Sequence, residues 1–237
     1  MNINIKNCEG NIITGTDTLE INTGTQPAAE AENAKATNPE ESGFISEMTY
    51  SMAAFMVNRD KVKIGDRVKL PAFTVPAVKT DDDEVMVFDE QNIKDEAIVI
   101  GKDGNGDFIL IFDHCLFESA IDLNGEKCFE KTQLGLYLQW DFLNAMNSAG
   151  ILAKSCGLIS KDEMFGDNAL EYFKKGRNRI AFDFDEDCSR YYWLSTFYDD
   201  VASAALFCRA SNRGYSYYDN ASGASIYVRP RFVISAI

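Results

Sequence analysis

Histidine is the scarcest chemically useful residue here, with one copy, His114, in 237 residues. A Ser-His-Asp triad would depend on that residue alone, and no nucleophile-elbow sequence accompanies it. A multi-histidine zinc or iron site is excluded. The six cysteines, Cys8, Cys115, Cys128, Cys156, Cys188 and Cys208, include no C-x-x-C pair, which excludes zinc ribbons and thioredoxin-like redox motifs. Basic residues are also short, with 23 Lys and Arg against 37 Asp and Glu, a net charge of -14. A surface that acidic repels phosphate backbones and anionic lipid headgroups, so neither nucleic acid nor a membrane surface is an expected partner. No apolar run approaches the roughly 20 residues of a membrane helix. The start, Met1-Asn2-Ile3-Asn4-Ile5-Lys6, lacks a basic stretch followed by an apolar one, so no secretory signal is expected. The cysteines accordingly read as mostly reduced, buried thiols, with one or two disulfides as the alternative.

What remains is ample for a folded domain: 46% of residues are hydrophobic and 12% aromatic. Residues 1–43 are the exception. The run from Thr23 to Pro39 holds almost nothing apolar larger than alanine and cannot offset the entropy of ordering, so this part reads as an N-terminal appendage and flexible linker. Residues 44–237 read as one α+β domain with two helices, antiparallel strands and many loops. The stretch Met48 to Val57 fits a helix or a buried strand, and Val62 to Leu70 alternates as a strand with a turn at Gly65-Asp66. Glu96 to Ile100 and Phe108 to Phe112 flank a glycine-rich turn and predict a β-hairpin. Leu134, Tyr137, Leu138, Phe142, Ala145 and Met146 share one helical face, predicting a helix over 132–148. Ser160-Lys161-Asp162-Glu163 is a capping box opening a second helical stretch to about Lys175, with Gly166 as a candidate break. Strands and loops follow, with apolar strands expected at 179–182, 191–194, 204–207 and 228–234.

Two acidic clusters invite a metal reading. Asp103, Asn105 and Asp107 have the spacing of the first ligands of a calcium loop, but Phe108 stands where a turn glycine is needed and His114 where a bidentate Glu is needed. A hairpin turn accounts for them. Asp183, Asp185, Glu186 and Asp187 offer hard oxygen ligands that suit calcium; a solvated acidic loop is the plainer reading. No metal or cofactor is expected.

The C-terminal stretch carries the functional signal. Seven of the ten tyrosines lie between Tyr191 and Tyr227, interleaved with Ser, Asn and Gly. Tyrosine supplies large amphipathic contact area at low entropic cost, and the small polar residues supply adaptable hydrogen bonds, as in an antibody paratope. From Leu194 through Tyr227 there is no Lys, Glu, Gln, Met or Trp. Those types make up 43 of 237 residues, so about six would fall in 34 positions by composition alone. Asn codons of the AAY type, randomised at their adenines, yield Tyr, Ser, Asp, Asn, Ala, Gly, Arg, Phe, Cys, Leu, Ile and Val, and cannot yield the missing five. Selection for small, β-forming residues is the alternative cause.

Tyr192-Trp193-Leu194-Ser195-Thr196, an apolar strand at Ala204 to Phe207, Gly214 and Val228-Arg229-Pro230-Arg231-Phe232 resemble the end of the C-type-lectin-like fold. The version is that of formylglycine-generating-enzyme-like domains and of the variable proteins of diversity-generating retroelements. The resemblance covers roughly residues 64–237. It implies a hypervariable, ligand-binding surface at Phe197, Tyr198, Asp199, Asp200, Ser211, Asn212, Arg213, Tyr215, Tyr217, Tyr218, Asp219, Asn220, Ser222 and Tyr227. Trp193, Gly214, Val228, Arg229 and Pro230 would be scaffold. The expected function is recognition of a protein or glycan ligand on a cell surface, as in a phage tail or prophage protein, with residues 1–43 docking other virion proteins or oligomerising. The expected location is a virion or export by a non-classical route, otherwise the cytoplasm. The same resemblance implies two alternatives. One is a formylglycine-generating-enzyme-like oxidoreductase using copper and a cysteine pair, although the contexts of Cys188 and Cys208 do not match that active site. The other is a non-variable structural domain.

Overall fold

The computed structural model describes residues 48–81, 83–184, 188–199 and 205–236. The expected appendage at 1–43, together with Asp185, Glu186, Asp187 and Asp200, lies outside the described residues.

Strand β1 (Thr49–Ser51) runs directly into helix α1 (Met52–Val57), and the Ser51 hydroxyl accepts from the Ala54 amide at 3.2 Å. The stretch that fitted either helix or strand is therefore both in succession. Strand β2 (Arg67–Lys69) is shorter than its alternation predicts. The buried Asp66 carboxylate accepts from the amides of Met48 and Lys63, holding the preceding segment as a turn. Strands β3 (Phe73–Val75), β4 (Val78–Lys79), β5 (Val87–Phe88) and β6 (Gln91–Ile93) form two small antiparallel ribbons, β3 with β6 and β4 with β5.

Strands β7 (Glu96–Lys102) and β8 (Phe108–Phe112) are the predicted hairpin. Its turn uses the Asp103 carboxylate to accept from the amides of Asn105 and Asp107, while Asp107 pairs with Lys154 at 2.5 Å. The calcium-like spacing thus serves turn geometry. Strand β9 is Phe117–Glu118. The helix expected over 132–148 begins at Thr132, whose hydroxyl accepts from the Gly135 amide. It is built as α2 (Gln133–Tyr137), one π-helical turn over Leu138–Phe142, and α3 (Leu143–Ser148). After β10 (Ala153–Gly157), the capping box starts α4 (Lys161–Phe165), with both reciprocal bonds between Ser160 and Glu163 in place. The helix stops at Gly166, the candidate break, and Glu171–Lys174 follows as a separate 3₁₀ turn.

The remaining strands are β11 (Ala181–Phe182), β12 (Ser189–Arg190), β13 (Tyr192–Tyr198), β14 (Leu206–Ala210), β15 (Ser216–Asn220), β16 (Tyr227–Val228) and β17 (Arg231–Ile234). Two sheets organise the molecule, in strand orders β1-β2-β7-β8-β17-β10 and β15-β14-β13-β16-β9. The architecture is α+β.

Two apolar cores explain why the central strands are apolar on both faces. Ala97, Val99, Leu110 and Phe112 face the first core with Leu134, Phe142 and Trp193. Ile98, Ile100, Ile109 and Ile111 face the second with Ile159, Met164, Tyr192 and Leu194. The second sheet shares this arrangement, since Trp193 and Phe207 belong to one core and Tyr192, Cys208 and Ala210 to the other. Its strand β15 is an edge with no further neighbour among the described residues, and it displays side chains to solvent.

Candidate ligand-binding site

Strand alternation decides what the edge strand can present. In the β14/β15 register, Arg209 lies opposite Tyr217 and Phe207 opposite Asp219, whereas Cys208 lies opposite Tyr218. Tyr217 and Tyr218 therefore project to opposite faces of the sheet, and the tyrosines do not form a single surface.

On the first face, the Arg209 guanidinium sits 4.3 Å from the Tyr191 ring centroid and 5.8 Å from that of Tyr217. Asp219 approaches Arg209 Nε at 3.1 Å. The turn between β14 and β15 closes the site. Gly214 takes φ +76°, a conformation open to glycine, and a Cβ there would stand 3.0 Å from the Gly176 carbonyl oxygen. Ser211 is buried, and its hydroxyl accepts from the amides of Arg213 and Tyr215. It holds the turn from within while also lining the cleft, as one of the expected contact residues. The result is a cleft of about 370 Å³ lined by Tyr191, Arg209, Ser211, Asn212, Arg213, Tyr215 and Tyr217. Tyr215 and Tyr217 are 64% and 53% exposed, so large aromatic area faces water on a rigid frame.

On the second face, Tyr198 and Tyr218 stack with centroids 4.3 Å apart and planes 10° from parallel. Beyond β15, the Asn220 side chain accepts from the Ser222 amide and hydroxyl, forming an exposed turn. Asp199 is exposed.

Two expected contact residues lie outside the cleft, half-buried against the cores. Phe197 packs edge-on against Phe207 at 5.6 Å, beneath the Lys127 ammonium, against the first core. Tyr227 packs against the second core; its hydroxyl donates to Asp183 at 3.3 Å, and burial pushes its pKa up to about 12. Asp183 also pairs with Arg190 at 2.5 Å, so this carboxylate has a structural partner. Among the described residues no group of His, Cys, Asp and Glu is arranged to hold a metal ion.

The expected scaffold residues are buried. Trp193 donates to the Ser119 carbonyl at 2.8 Å, Val228 is enclosed, and Arg229 donates to the carbonyls of Phe112 and Asp113. The Pro230 carbonyl accepts from the Phe112 amide. Of the cysteines, Cys188 is disulfide-bonded, the alternative to reduced thiols. Cys115, Cys128, Cys156 and Cys208 are free, with Cys128 exposed. Burial raises the Cys208 thiol above its ordinary pKa, so Cys188 and Cys208 are not a pair of reactive thiolates.

Arg209 and Tyr191 are the lining residues that the sequence reading did not place at the site. A lone arginine in the apolar run Leu206-Phe207-Cys208-Arg209-Ala210 was the available signal. Among the described residues no helix is long and apolar enough to cross a membrane. Compared with known proteins, the chain matches no family model, no curated protein and no solved structure.

Proposed function

We propose that the chain is a ligand-recognition protein, a C-type-lectin-like domain whose contact surface is the cleft at the β14/β15 end of the second sheet. The carrying observation is the exposed Tyr215 and Tyr217, set with Arg209 and Arg213 around a concavity on strands anchored in two cores. Rigid aromatic anchors in an adaptable polar surround gain contact area without a large ordering cost. The ligand is a protein or glycan on a cell surface. The absence of Lys, Glu, Gln, Met and Trp from 194 to 227 supports diversification of this surface through adenine-templated codons, as in a retroelement variable protein of a phage or prophage.

The test is an array of cell-surface glycans and purified ectodomains, probed with the full chain and with a Tyr215→Ala/Tyr217→Ala variant. Specific binding lost in the variant, with its melting temperature within a few degrees of the parent, is the expected result. A variant that unfolds, or binds as the parent does, overturns the site. Sequencing the gene's 3′ end across a population tests diversification separately. Substitutions should concentrate in Asn-type codons between 194 and 227; an invariant end removes diversification and leaves a fixed-specificity binder.

A further inference from the structure

The cleft is basic in a chain that carries net charge -14. Arg209 and Arg213 line it, and among the described residues no carboxylate does. Arg213 has no ion-pair partner among the described residues. Arg209 has one, Asp219, whose oxygen lies 3.1 Å from Nε but off the N–H direction. Nε and Nη1 of Arg209 therefore lack a hydrogen-bond acceptor and are also closed off from water. The Arg209 side chain is only 19% exposed and is held by two tyrosine rings. A cation stripped of part of its water draws an anion more strongly, through its poorly screened charge, than a hydrated lysine on an open surface. Its orientation is also already set, so little side-chain entropy is lost when a partner arrives.

We infer that this cleft binds an acidic sugar, with the carboxylate of a uronic or sialic-type residue received by Arg209 and Arg213. The inference rests on the ligand-recognition reading and names the class of ligand. A concavity of about 370 Å³ is at the small end of ligand sites, suited to one or two sugar rings more than to a flat protein epitope. The exposed Arg213 guanidinium can meet a carboxylate through paired N–H donors, with the Arg209 charge beside it adding attraction. The Tyr215 and Tyr217 rings offer apolar faces to the C–H side of a pyranose, and their phenols with the Asn212 amide can exchange hydrogen bonds with its hydroxyls.

The experiment is calorimetric titration of the full chain with methyl glucuronide and the methyl glycoside of N-acetylneuraminic acid. Neutral methyl glucoside and a glutamate-rich peptide are run beside them. The acid sugars should bind at least about tenfold more tightly than the neutral one, the difference made by one charge-assisted contact. Arg209→Gln and Arg213→Gln should each remove most of that difference. Arg213 is exposed, so its variant stays informative if Arg209→Gln fails to fold. Equal affinity for acid and neutral sugars, or an unchanged acid preference in Arg213→Gln, overturns the inference, as does binding of the peptide without the sugars. Should the array find a neutral glycan or a protein bound through Tyr215 and Tyr217 while acid sugars do not bind, the recognition function stands and the acid-sugar assignment falls. With neither array ligand nor acid sugar bound, both fall.

Discussion

Trp193 donates its indole N–H to the Ser119 carbonyl at 2.8 Å across 74 positions of chain. That bond fastens the strand behind the cleft to the segment that follows β9. Trp193 is fully buried in the first core, so its loss removes both volume and a hydrogen-bond donor. Trp193→Ala should cost about 3–5 kcal/mol of unfolding free energy. Trp193→Phe keeps much of the volume but strands the Ser119 carbonyl, costing about 1–3 kcal/mol. Urea denaturation checks both, and a loss below about 1 kcal/mol for the alanine variant contradicts the anchoring role.

Neighbouring Tyr217 and Tyr218 should separate cleanly in binding and stability. Tyr217 borders the cleft and flanks Arg209, whereas Tyr218 lies on the other face against Tyr198. Tyr217→Ala is expected to weaken any ligand held in the cleft. Tyr218→Ala leaves that affinity within about twofold and costs only the aromatic stack, about 0.5–1.5 kcal/mol beyond area. Equal losses of affinity from the two substitutions would show that the ligand wraps the edge strand and is not confined to one face.

Alkaline pH should unfold the domain through its buried acids. Burial pushes Tyr192 and Tyr227 up to about 12 from 10.0, and Cys115 and Cys156 up to about 12 from 9.0. Each group is held neutral in the fold and ionises more readily once unfolded. Their contribution is therefore complete below about pH 9 and is lost as pH rises toward 12. Denaturation midpoints measured from pH 8 to 12 should fall across that window, less steeply in Tyr227→Phe. A midpoint that stays level to pH 11 would show these groups to be solvated.

The hairpin at 96–112 was legible because apolar strands on both sides of a glycine turn leave few alternatives, and the Ser160–Glu163 box because it is satisfied locally. The π-helical turn over Leu138–Phe142 has no comparable sequence mark, since the apolar face reads the same through it. Strand β15 was missed for a different reason. Ser216-Tyr217-Tyr218-Asp219-Asn220 has no period-two hydrophobicity, because an edge strand exposed on both sides need not be apolar on either. Tyrosine enrichment therefore pointed to the stretch that borders the cleft, but only the Arg209–Tyr217 register shows that Tyr218 faces away. The resemblance implies Phe197 and Tyr227 as contacts; their packing on Phe207 and Asp183 could not be read from the sequence.

Two glycines with similar backbone angles distinguish strain from close approach. Gly214 at φ +76° forms the cleft turn, and Gly106 at φ +82° forms the hairpin turn. Around Gly106 a Cβ would meet nothing within 4 Å, whereas at Gly214 it would press on the Gly176 carbonyl oxygen at 3.0 Å and Arg179 Cβ at 3.4 Å. Asparagine tolerates the left-handed region better than other side chains, so Gly106→Asn should be nearly neutral. Gly214→Asn gains the same tolerance but keeps the collision, and Gly214→Ala suffers both penalties, about 1–3 kcal/mol for the backbone alone. If only conformation mattered, Gly214→Asn would match Gly106→Asn in thermal melts. If the turn is pinned against Gly176, Gly214→Asn melts well below it, and the displaced Ser211–Tyr215 segment carries Arg213 and Tyr215 out of the cleft with a matching loss of ligand affinity.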